Sequence, residues 1–250
     1  MKISAVIITL NEENKLSDCL RSLTWVDEIV ILDSGSIDKT VAIAKRSKAK
    51  VYEAGDWLGF GNQKNKAMGY ATGDWVLSID ADERVTPELA AEIRDAVDRD
   101  NNVVGMMLPR LSKYCEKYMR HGGWWPDYVL RVCRREMGKF SEDLVHEKLQ
   151  VSGKVEKLKN PLIHESFDNF EQVLNKVNKY SSLGAEQLFS QGKKGGVVSG
   201  ILHGINAFIK TYFLKAGFLD GRYGLMLAIS NAEGAYYKYI KLMLKRKQEK

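Results

Sequence analysis

The chain has 250 residues, a formal net charge of +6 and a pI near 9.0. This composition is typical of an intracellular enzyme that meets acidic surfaces. Its three cysteines, Cys19, Cys115 and Cys133, are too few and odd in number for a disulfide framework, so we expect buried thiols. Because the lysines are scattered and no nucleic-acid reading motif accompanies them, we expect no nucleic acid partner.

Strands and helices alternate along the first 80 residues. The predicted elements are, in chain order, strand 2–10, helix 15–23, strand 28–33, helix 38–45, strand 49–52, helix 59–70 and strand 75–80. Such alternation predicts a parallel sheet, and ligands of parallel sheets bind beyond the carboxyl ends of the strands. Asp33, Asp80 and Asp82 all follow such ends.

Asp80 and Asp82 are separated by one residue where the fourth predicted strand stops. Because alternate residues of a strand point to the same face, the two carboxylates can point the same way. Two hard oxygen ligands suit a divalent cation that keeps several waters and bridges substrate phosphates, as Mg²⁺ does. For an isolated D-x-D sequence, the alternative is a solvated turn before the helix that begins near Pro87.

Four motifs resemble, in order, those of family 2 glycosyltransferases: residues 6–13 (VIITLNEE), 31–36 (ILDSGS) with 38–40 (DKT), 63–67 (QKNKA) and 80–83 (DADE). The resemblance covers roughly residues 1–110. It implies a GT-A fold, an α/β Rossmann-like architecture with a mostly parallel central sheet flanked by helices. It also implies that the chain divides by function into three segments: a nucleotide-sugar-binding half (1–110), an acceptor-binding and catalytic half (111–167) and a C-terminal helical extension (168–250).

The same resemblance implies roles for individual residues. Those expected to bind the nucleotide sugar are Thr9, Leu10, Asn11, Glu13, Asp33, Lys64, Asp80 and Ala81. Asp33 would accept a hydrogen bond from the base, and Lys64 would lie near the diphosphate. Asp82, with Asp80, would bind Mg²⁺ or Mn²⁺. Such a cation stabilises the negative charge that builds on the departing nucleoside diphosphate.

Residues 122–131 (GGWWPDYVLR), 145–147 (VHE), 163–167 (IHESF) and 216–224 (AGFLDGRYG) resemble a narrower branch of the family. That branch contains the lipopolysaccharide core β-1,4-glucosyltransferases. It implies transfer of a hexose, glucose from UDP-glucose, onto an inner-core heptose. A transferase for another bacterial surface glycan is the alternative, and so is a catalytically silent relative that binds a membrane or a partner protein.

Inverting transfer needs a carboxylate that takes the proton of the acceptor hydroxyl. Glu147 follows the acceptor-like segment and is the predicted base, with Asp143 in reserve; a surface salt bridge is the alternative interpretation of Glu147. The neighbouring His146 could tune the base or contact the acceptor.

Three further residues are candidates for acceptor binding. Trp124 and Trp125 could form an aromatic platform over a sugar ring, although core packing explains them almost as well. The guanidinium of Arg131 suits phosphates and carboxylates, and a solvated charged strand is the alternative.

Several other functions lack their motifs. The four histidines do not have metal-ligand spacing, and neither a dinucleotide fingerprint nor a phosphate loop is present. A sugar nucleotidyltransferase would need a Gly-rich, Arg-containing first loop, which residues 9–16 do not provide.

The C-terminal region changes character after residues 192–196 (GKKGG), which predict a hinge following a helix over 168–191. Residues 197–245 then show amphipathic helical spacing with interleaved lysines. Only 15 uncharged residues separate Lys194 from Lys210, fewer than the roughly 20 that span a bilayer. We therefore expect peripheral association with the inner face of the cytoplasmic membrane, where a lipid-anchored acceptor would be met.

The alternative for this region is a helical layer that packs on the catalytic domain or on another subunit of a homo-oligomer. The opening apolar run meets Asn11 and Glu12 without a cleavage site, so we expect it to form the first strand rather than a signal peptide. The catalytic part should then face the cytoplasm.

Overall fold

The structure is a computed structural model that describes residues 1–99, 102–141 and 147–248. The chain forms two compact units. The first contains Met1–Arg110 and Asp127–His164, and the second contains Leu111–Pro126 and Glu165–Lys250. The three segments predicted above describe roles rather than packing, and they remain predictions.

In chain order, the strands and helices are β1 (Ile3–Thr9), α1 (Leu16–Arg21), β2 (Glu28–Asp33), α2 (Thr40–Arg46), β3 (Lys50–Glu53), α3 (Phe60–Gly69), β4 (Trp75–Ser78), β5 (Glu83–Val85), α4 (Pro87–Asp98), β6 (Val103–Tyr114), β7 (Lys117–Tyr118), β8 (Asp127–Arg134), β9 (Gly138–Phe140), β10 (Leu149–Val151), β11 (Lys154–Lys157), β12 (Leu162–Phe167), α5 (Phe170–Ser190), α6 (Val197–Ile209) and α7 (Arg222–Gln248). The seven elements predicted up to residue 80 are all present, with ends that differ by a few residues.

The main sheet has the strand order β3-β2-β1-β4-β8-β6-β12-β5. The strands β1 to β4 are parallel to one another, and their pairing places Thr9 beside Asp33. Strand β8 is antiparallel to both β4 and β6, and β12 is antiparallel to β5. The predicted α/β fold class is therefore confirmed, and the parallel strands end at one edge of the sheet.

The first unit has apolar cores on both faces of its sheet. Successive residues of β1 point to opposite faces, so Ile7 packs with Leu16 and its neighbours in one core, and Val6 packs with Leu32 in the other. A parallel strand that is covered on both faces reads as a nearly continuous apolar run. This double burial explains why the sequence of β1 identified a strand so clearly.

The second unit is largely helical. Helix α7 packs against both α5 and α6, and an apolar cluster includes Tyr114, Phe167 and Leu227. Helix α6 meets α7 through glycines, since a Cβ added at Gly204 would lie only 3.1 Å from the carbonyl oxygen of Ala232. The helices predicted on either side of residues 192–196 are both present.

In the part of the chain that the structure describes, one helical segment is long and apolar enough to cross a membrane, and it spans Val197–Leu214. Only 17% of this 18-residue window is buried. The window includes Lys210, which bounded the shorter uncharged stretch counted from the sequence. Length and composition alone are weak evidence for crossing, because helices of soluble proteins can pass the same test.

The three cysteines are free and buried, as predicted. Burial raises the pKa of both the Cys19 and Cys133 thiols to about 12. These two side chains therefore stay protonated at neutral pH and act as small apolar groups in the core.

Candidate active site

The first part of the site is built around Asp33, at the carboxyl end of β2. Its side chain is 1% exposed and accepts hydrogen bonds from Thr9 Oγ1 (2.9 Å), the Gly35 N–H (3.0 Å), the Ser36 N–H (2.7 Å) and Ser36 Oγ (2.6 Å). The carboxylate thus fixes the loop after β2 against the end of β1. A hydrogen bond from a nucleotide base to Asp33 stays a prediction.

The loop after β1 is tied to the loop after β2. The Asn11 N–H donates to Ser36 Oγ (2.8 Å), and Glu13 Oε2 accepts from the Lys39 N–H (3.1 Å). Leu10, between them and the strand, leaves its side chain about half exposed. The structure therefore brings the predicted nucleotide-binding residues of this loop together with Asp33.

Asp80 lies in a turn and not in a strand, because β4 ends at Ser78. Strand alternation therefore does not set the directions of Asp80 and Asp82, and that part of the sequence argument is wrong. Lys64 of α3 places its Nζ 3.1 Å from Asp80 Oδ1. Arg131 of β8 donates to Asp80 Oδ2 at 2.5 Å. The Asp80 carboxylate is thus held between two buried cations.

Arg131 is also paired with Glu83, which the sequence analysis did not assign to the site. Its guanidinium donates to Glu83 Oε1 at 2.6 Å, while Glu83 Oε2 accepts from the Asp80 N–H at 3.0 Å. Arg110 adds a second guanidinium 3.8 Å from Glu83. Arg131 therefore holds the Asp80 turn in place, and its contact with an acceptor stays a prediction.

The burial pattern of β5 explains why Glu83 points into the site. In the short strand β5, Glu83 and Val85 are buried, whereas the intervening Arg84 is only half-buried. This alternation with period two places Glu83 on the same face as Val85. A carboxylate on the apolar face of a strand predicts a buried cationic partner, because an unpaired buried charge is very costly.

The charges of this network stabilise one another. Burial alone would raise the pKa of Asp80, but the charges of Arg131 and Lys64 outweigh it and hold that pKa far below its usual range. Burial would likewise lower the pKa of Arg131, but Asp80 and Glu83 outweigh it and raise that pKa. The carboxylate and the guanidinium therefore stay charged at all working pH values.

Asp82 points to a different partner, His164 of β12. His164 Nε2 lies 3.3 Å from Asp82 Oδ2. Burial raises the pKa of Asp82, but the hydrogen bond and charge of His164 outweigh it, so the pKa is lowered. Burial, and then the charge of Asp82, raise the pKa of the nearby Glu12. Asp82 is therefore ionised at neutral pH and has Glu12 as a second carboxyl group nearby.

His164 was missed by the sequence analysis, which looked for two histidines at helical spacing. It reaches Asp82 through strand pairing instead, because β12 lies beside β5 with His164 opposite Glu83. Spacing along the chain does not reveal such a contact between residues 82 positions apart.

Glu147 lies in the same site as Lys64 and Asp80. Lys64 Nζ is 3.2 Å from Glu147 Oε1, so this ammonium bridges the two carboxylates. Gly61 allows the close approach, since a Cβ there would clash with the Ser141 carbonyl group and lie 3.4 Å from Glu147 Cβ. The role of Glu147 as a base stays a prediction. Asp143 and His146 lie outside the described residues.

A divalent cation fits this site only if the protein and the substrate both supply ligands to it. Over residues 1–99, 102–141 and 147–248, no group of three or more His, Cys, Asp or Glu side chains is arranged to hold a metal ion. Mg²⁺, however, is usually bound through one or two carboxylates while substrate phosphates and waters complete its shell. The ionised Asp82, which has the imidazole of His164 as a partner, provides that kind of ligand, whereas Asp80 is already paired with two buried cations.

Trp124 and Trp125 belong to the second unit. The ring of Trp124 packs edge-to-face with Tyr114 at 5.6 Å and lies 6.2 Å from the ring of Phe167. The ring of Trp125 lies 5.5 Å from the guanidinium of Arg120. These contacts give both tryptophans packing partners, and the aromatic platform stays a prediction.

Comparison with known families agrees with this geometry. Residues 4–154 match the family model described as glycosyl transferase family 2. The chain therefore belongs to the family 2 glycosyltransferases, and it is an enzyme of that class.

Two relatives align over most of the chain. An uncharacterized glycosyltransferase of Rickettsia typhi is 31% identical, with 96% of this chain and 86% of the relative covered. The lipopolysaccharide core biosynthesis glycosyltransferase LpsC of Rhizobium meliloti is 30% identical, with 96% and 93% covered.

A solved structure shows the same fold. The structure of residues 1–349 of TarS from S. aureus has a TM-score of 0.51, with 99% of this chain and 92% of that chain covered. At 17% identity this likeness concerns the fold alone. The GT-A fold predicted from the motifs is thereby confirmed.

Proposed function

We propose that the protein is an inverting hexosyltransferase that moves glucose from UDP-glucose onto a heptose of the lipopolysaccharide inner core. The observation that carries this proposal is the bridge formed by Lys64 between Asp80 and the predicted base Glu147. It joins the cation predicted to lie near the diphosphate to the carboxylate predicted to act as the base. The relative named for lipopolysaccharide core biosynthesis supports the acceptor class.

The proposed reaction assigns one task to each charged group. A carboxylate oxygen of Glu147 accepts the proton of the acceptor hydroxyl as that oxygen forms a bond to the anomeric carbon. The bond between the anomeric carbon and the diphosphate oxygen breaks on the opposite face, and its electron pair leaves with UDP. Lys64 neutralises charge on the leaving diphosphate. When Lys64 moves to the diphosphate, Glu147 loses its ion pair and becomes a better base.

Asp82 would hold a Mg²⁺ or Mn²⁺ ion against the donor diphosphate. The cation would supply Lewis-acid stabilisation of the leaving group. Arg131 and Glu83 keep the Asp80 turn, and with it Asp82, in one position before the donor binds. This preorganisation limits the conformational cost of donor binding.

A transfer assay tests the proposal. Purified protein is incubated with UDP-glucose, Mn²⁺ and a heptose-terminated core acceptor, and the release of UDP and the glycosylated product are both measured. We expect Glu147→Gln to lower kcat by about 10²–10⁴ while the KM for UDP-glucose changes little. Asp143→Asn serves as the matched control. If Glu147→Gln turns over at the wild-type rate, or if only Asp143→Asn lowers kcat, then another acid is the base.

The proposal extends to the place where the enzyme works, the anionic surface of the inner membrane. Helix α6 turns its glycines toward α7, since a Cβ at Gly200 would lie 3.1 Å from the ring of Tyr236. Large apolar side chains elsewhere on residues 197–214 are exposed: Val198 by 71%, Leu202 by 61% and Leu214 by 75%. We call this exposed apolar face the α6 surface. Exposed apolar area of this extent is typical of a surface that contacts a membrane or a protein.

The charges near α6 favour a membrane, rather than a protein, as the partner of the α6 surface. Lys193 and Lys194 precede α6, and Lys210 and Lys215 lie near its end. Lysines that flank an apolar helix face attract anionic lipid, at about 1 kcal/mol for each residue near the surface. An interfacial position lets the apolar side chains enter the headgroup boundary while the ammonium groups remain in water.

Vesicle flotation tests this part of the proposal. We expect the full-length protein to float with phosphatidylglycerol vesicles and much less with phosphatidylcholine vesicles. The double variant Leu202→Ser/Leu214→Ser should lose most of this binding. A double variant of exposed apolar residues in the first unit, Ile37→Ser/Leu58→Ser, is the control and should float like the wild type. If Leu202→Ser/Leu214→Ser floats as well as the control variant, the α6 surface is not the membrane contact.

A further inference from the structure

A cavity of about 380 Å³ lies within the second unit. Its walls come from the end of β6, the end of β12, residue Trp124 and the facing sides of α5 and α7. The volume lies within the range of about 300–1,000 Å³ that is typical of small-molecule sites. No residue of the Lys64, Asp80 and Glu147 site lines it, so a ligand bound here would be distinct from the nucleotide sugar.

Three hydroxyl groups in the walls already have hydrogen-bond partners within the protein. The Tyr114 hydroxyl lies 2.9 Å from Ser230 Oγ. Ser181 Oγ donates to the Asn178 carbonyl at 2.9 Å and accepts from Lys241 Nζ at 2.8 Å. A sugar would need polar groups that point into the cavity with hydrogen-bonding capacity to spare. A hydrocarbon chain needs none, because removal of apolar surface from water favours its binding.

The apolar part of the lining is aromatic and aliphatic. Tyr114, Trp124 and Phe167 form a cluster with ring centroids between 5.6 and 6.2 Å apart, and Val173 and Leu227 are buried beside them. Rings and branched side chains of this kind make close dispersion contacts with a methylene chain. The lining therefore matches a hydrocarbon chain better than a polar ligand.

The charged residues that line the cavity, among those the structure describes, are both lysines. Lys176 comes from α5 and Lys238 from α7. The Lys176 ammonium lies 4.9 Å from the ring centroid of Phe167, so charge and apolar wall adjoin each other directly. Two ammonium groups beside an apolar cavity favour a ligand that has an anionic head and an apolar tail.

We propose that this cavity binds one hydrocarbon chain of an anionic amphiphile. The chain lies against Trp124, Phe167 and Leu227, and the anionic head lies near Lys176 and Lys238. The inference does not rest on glycosyl transfer, because the second unit can hold such a ligand whatever sugar the first unit uses. It gives the second unit a lipid-binding site in addition to the α6 surface.

Dibrominated stearate is the probe, because bromine quenches the fluorescence of an indole ring that it touches. It is titrated into the full-length protein below its micelle concentration, without vesicles, donor or metal. We expect saturable quenching in the wild type. Trp124→Phe should lose most of the quenching while calorimetry still detects binding of unbrominated stearate. Unchanged quenching in Trp124→Phe would place the probe elsewhere and overturn the proposal.

Filling the cavity provides the second arm of the test. Ala235→Leu should weaken stearate binding at least about tenfold, because it occupies volume that the chain needs. Gly234→Val is the second filling variant, since a Cβ at that position lies at an ordinary contact distance of 3.6 Å from Val177. Ala91→Leu, on an exposed position of α4, is the matched control. Wild-type affinity in a folded filling variant would refute the site.

The head-group contact is tested separately. Lys176→Gln/Lys238→Gln should weaken stearate binding at least about tenfold, while the control Lys45→Gln/Lys48→Gln, at exposed positions of the first unit, should not. Equal weakening in both double variants would show a general charge effect and would contradict the proposed head position. UDP binding, measured on the same samples, distinguishes a failure of this inference from a failure of the proposed transferase function.

Discussion

Arg131 donates a hydrogen bond of 2.6 Å to Glu83, a carboxylate whose side chain is 0% exposed. The same guanidinium holds Asp80, so one buried cation fixes both ends of the turn that carries the D-x-D motif. A buried charge that loses its partner is costly, whereas a buried pair contributes little net stability. We therefore expect Arg131 to fix the position of the turn, while its ion pairs add little to the net stability of the protein.

Arg131→Met should lower the free energy of unfolding by about 3–5 kcal/mol, because Asp80 and Glu83 would lose a buried partner. Urea denaturation measures the change. Arg21→Met, at an exposed position with only a local ion pair, should change stability by about 0.5 kcal/mol or less. A loss in Arg131→Met no larger than that of the control would show that Arg110 and Lys64 suffice to hold the turn.

The Lys64–Glu147 ion pair can be measured by a double-mutant cycle on urea unfolding. We expect Lys64→Met and Glu147→Gln each to destabilise the protein, and the double variant to lose about 1–3 kcal/mol less than the sum of the two. Both side chains are largely buried, so solvent screening of the pair is weak. Simple additivity of the two changes would mean that the bridge is not formed in solution.

Asp33→Ala should weaken UDP binding at least about tenfold, because four hydrogen bonds lose their acceptor. These bonds shape the loops after β1 and β2, which are predicted to bind the nucleotide. Calorimetric titration of UDP gives the affinity. Thr9→Val removes only one of these bonds and is the graded control, with a smaller expected loss. Asp33→Ala with wild-type UDP affinity would mean that this loop does not form the base site.

Glu28 predicts a specific pH dependence of stability. Burial raises the pKa of Glu28, but hydrogen bonds from Lys50, Ser4 and Thr72 outweigh it and lower the pKa from 4.5 to about 2. A folded-state pKa below the unfolded one means that the stabilisation is present above pH 4.5 and is lost as the pH falls toward 2. Because the Lys50 side chain is 54% exposed, solvent screens part of this stabilisation.

Urea unfolding at several pH values compares the wild type with Glu28→Gln. The stability difference between them should be largest above about pH 5 and should shrink steadily as the pH falls from 4.5 toward 2. A difference that is constant over this range would mean that Glu28 contributes through packing alone. Glu136→Gln, at an exposed position, serves as the control.

The parallel half of the fold was predictable because its signals are local. Apolar runs such as β1 identify strands, and Thr86 caps α4 by accepting a hydrogen bond from the Leu89 N–H at 3.1 Å. The antiparallel half was not predicted, since strands such as β5 and β9 have three residues each. Three residues are too few to show a period-two pattern, and β5 in addition pairs with β12, which lies far along the chain.

The site divides in the same way. Asp33, Lys64 and Asp80 were found because they stand in ordered motifs that resemble a family. Glu83 and His164 also stand in quoted segments, but they were given no role, because their contacts join strands far apart in the sequence. Arg131 was assigned to the acceptor, whereas its contacts in the structure are with the D-x-D turn. A sequence motif identifies a functional residue more readily than the residues that position it.

The most direct test of the central claim is a calorimetric titration of UDP into the purified protein, with Mn²⁺ and then with chelator, and with ADP for comparison. A family 2 glycosyltransferase whose Asp82 shares a cation with the donor should bind UDP more tightly than ADP. It should lose most of that affinity with chelator or in Asp82→Ala. Failure of the folded protein to bind UDP, or UDP binding that neither chelator nor Asp82→Ala affects, would contradict the account.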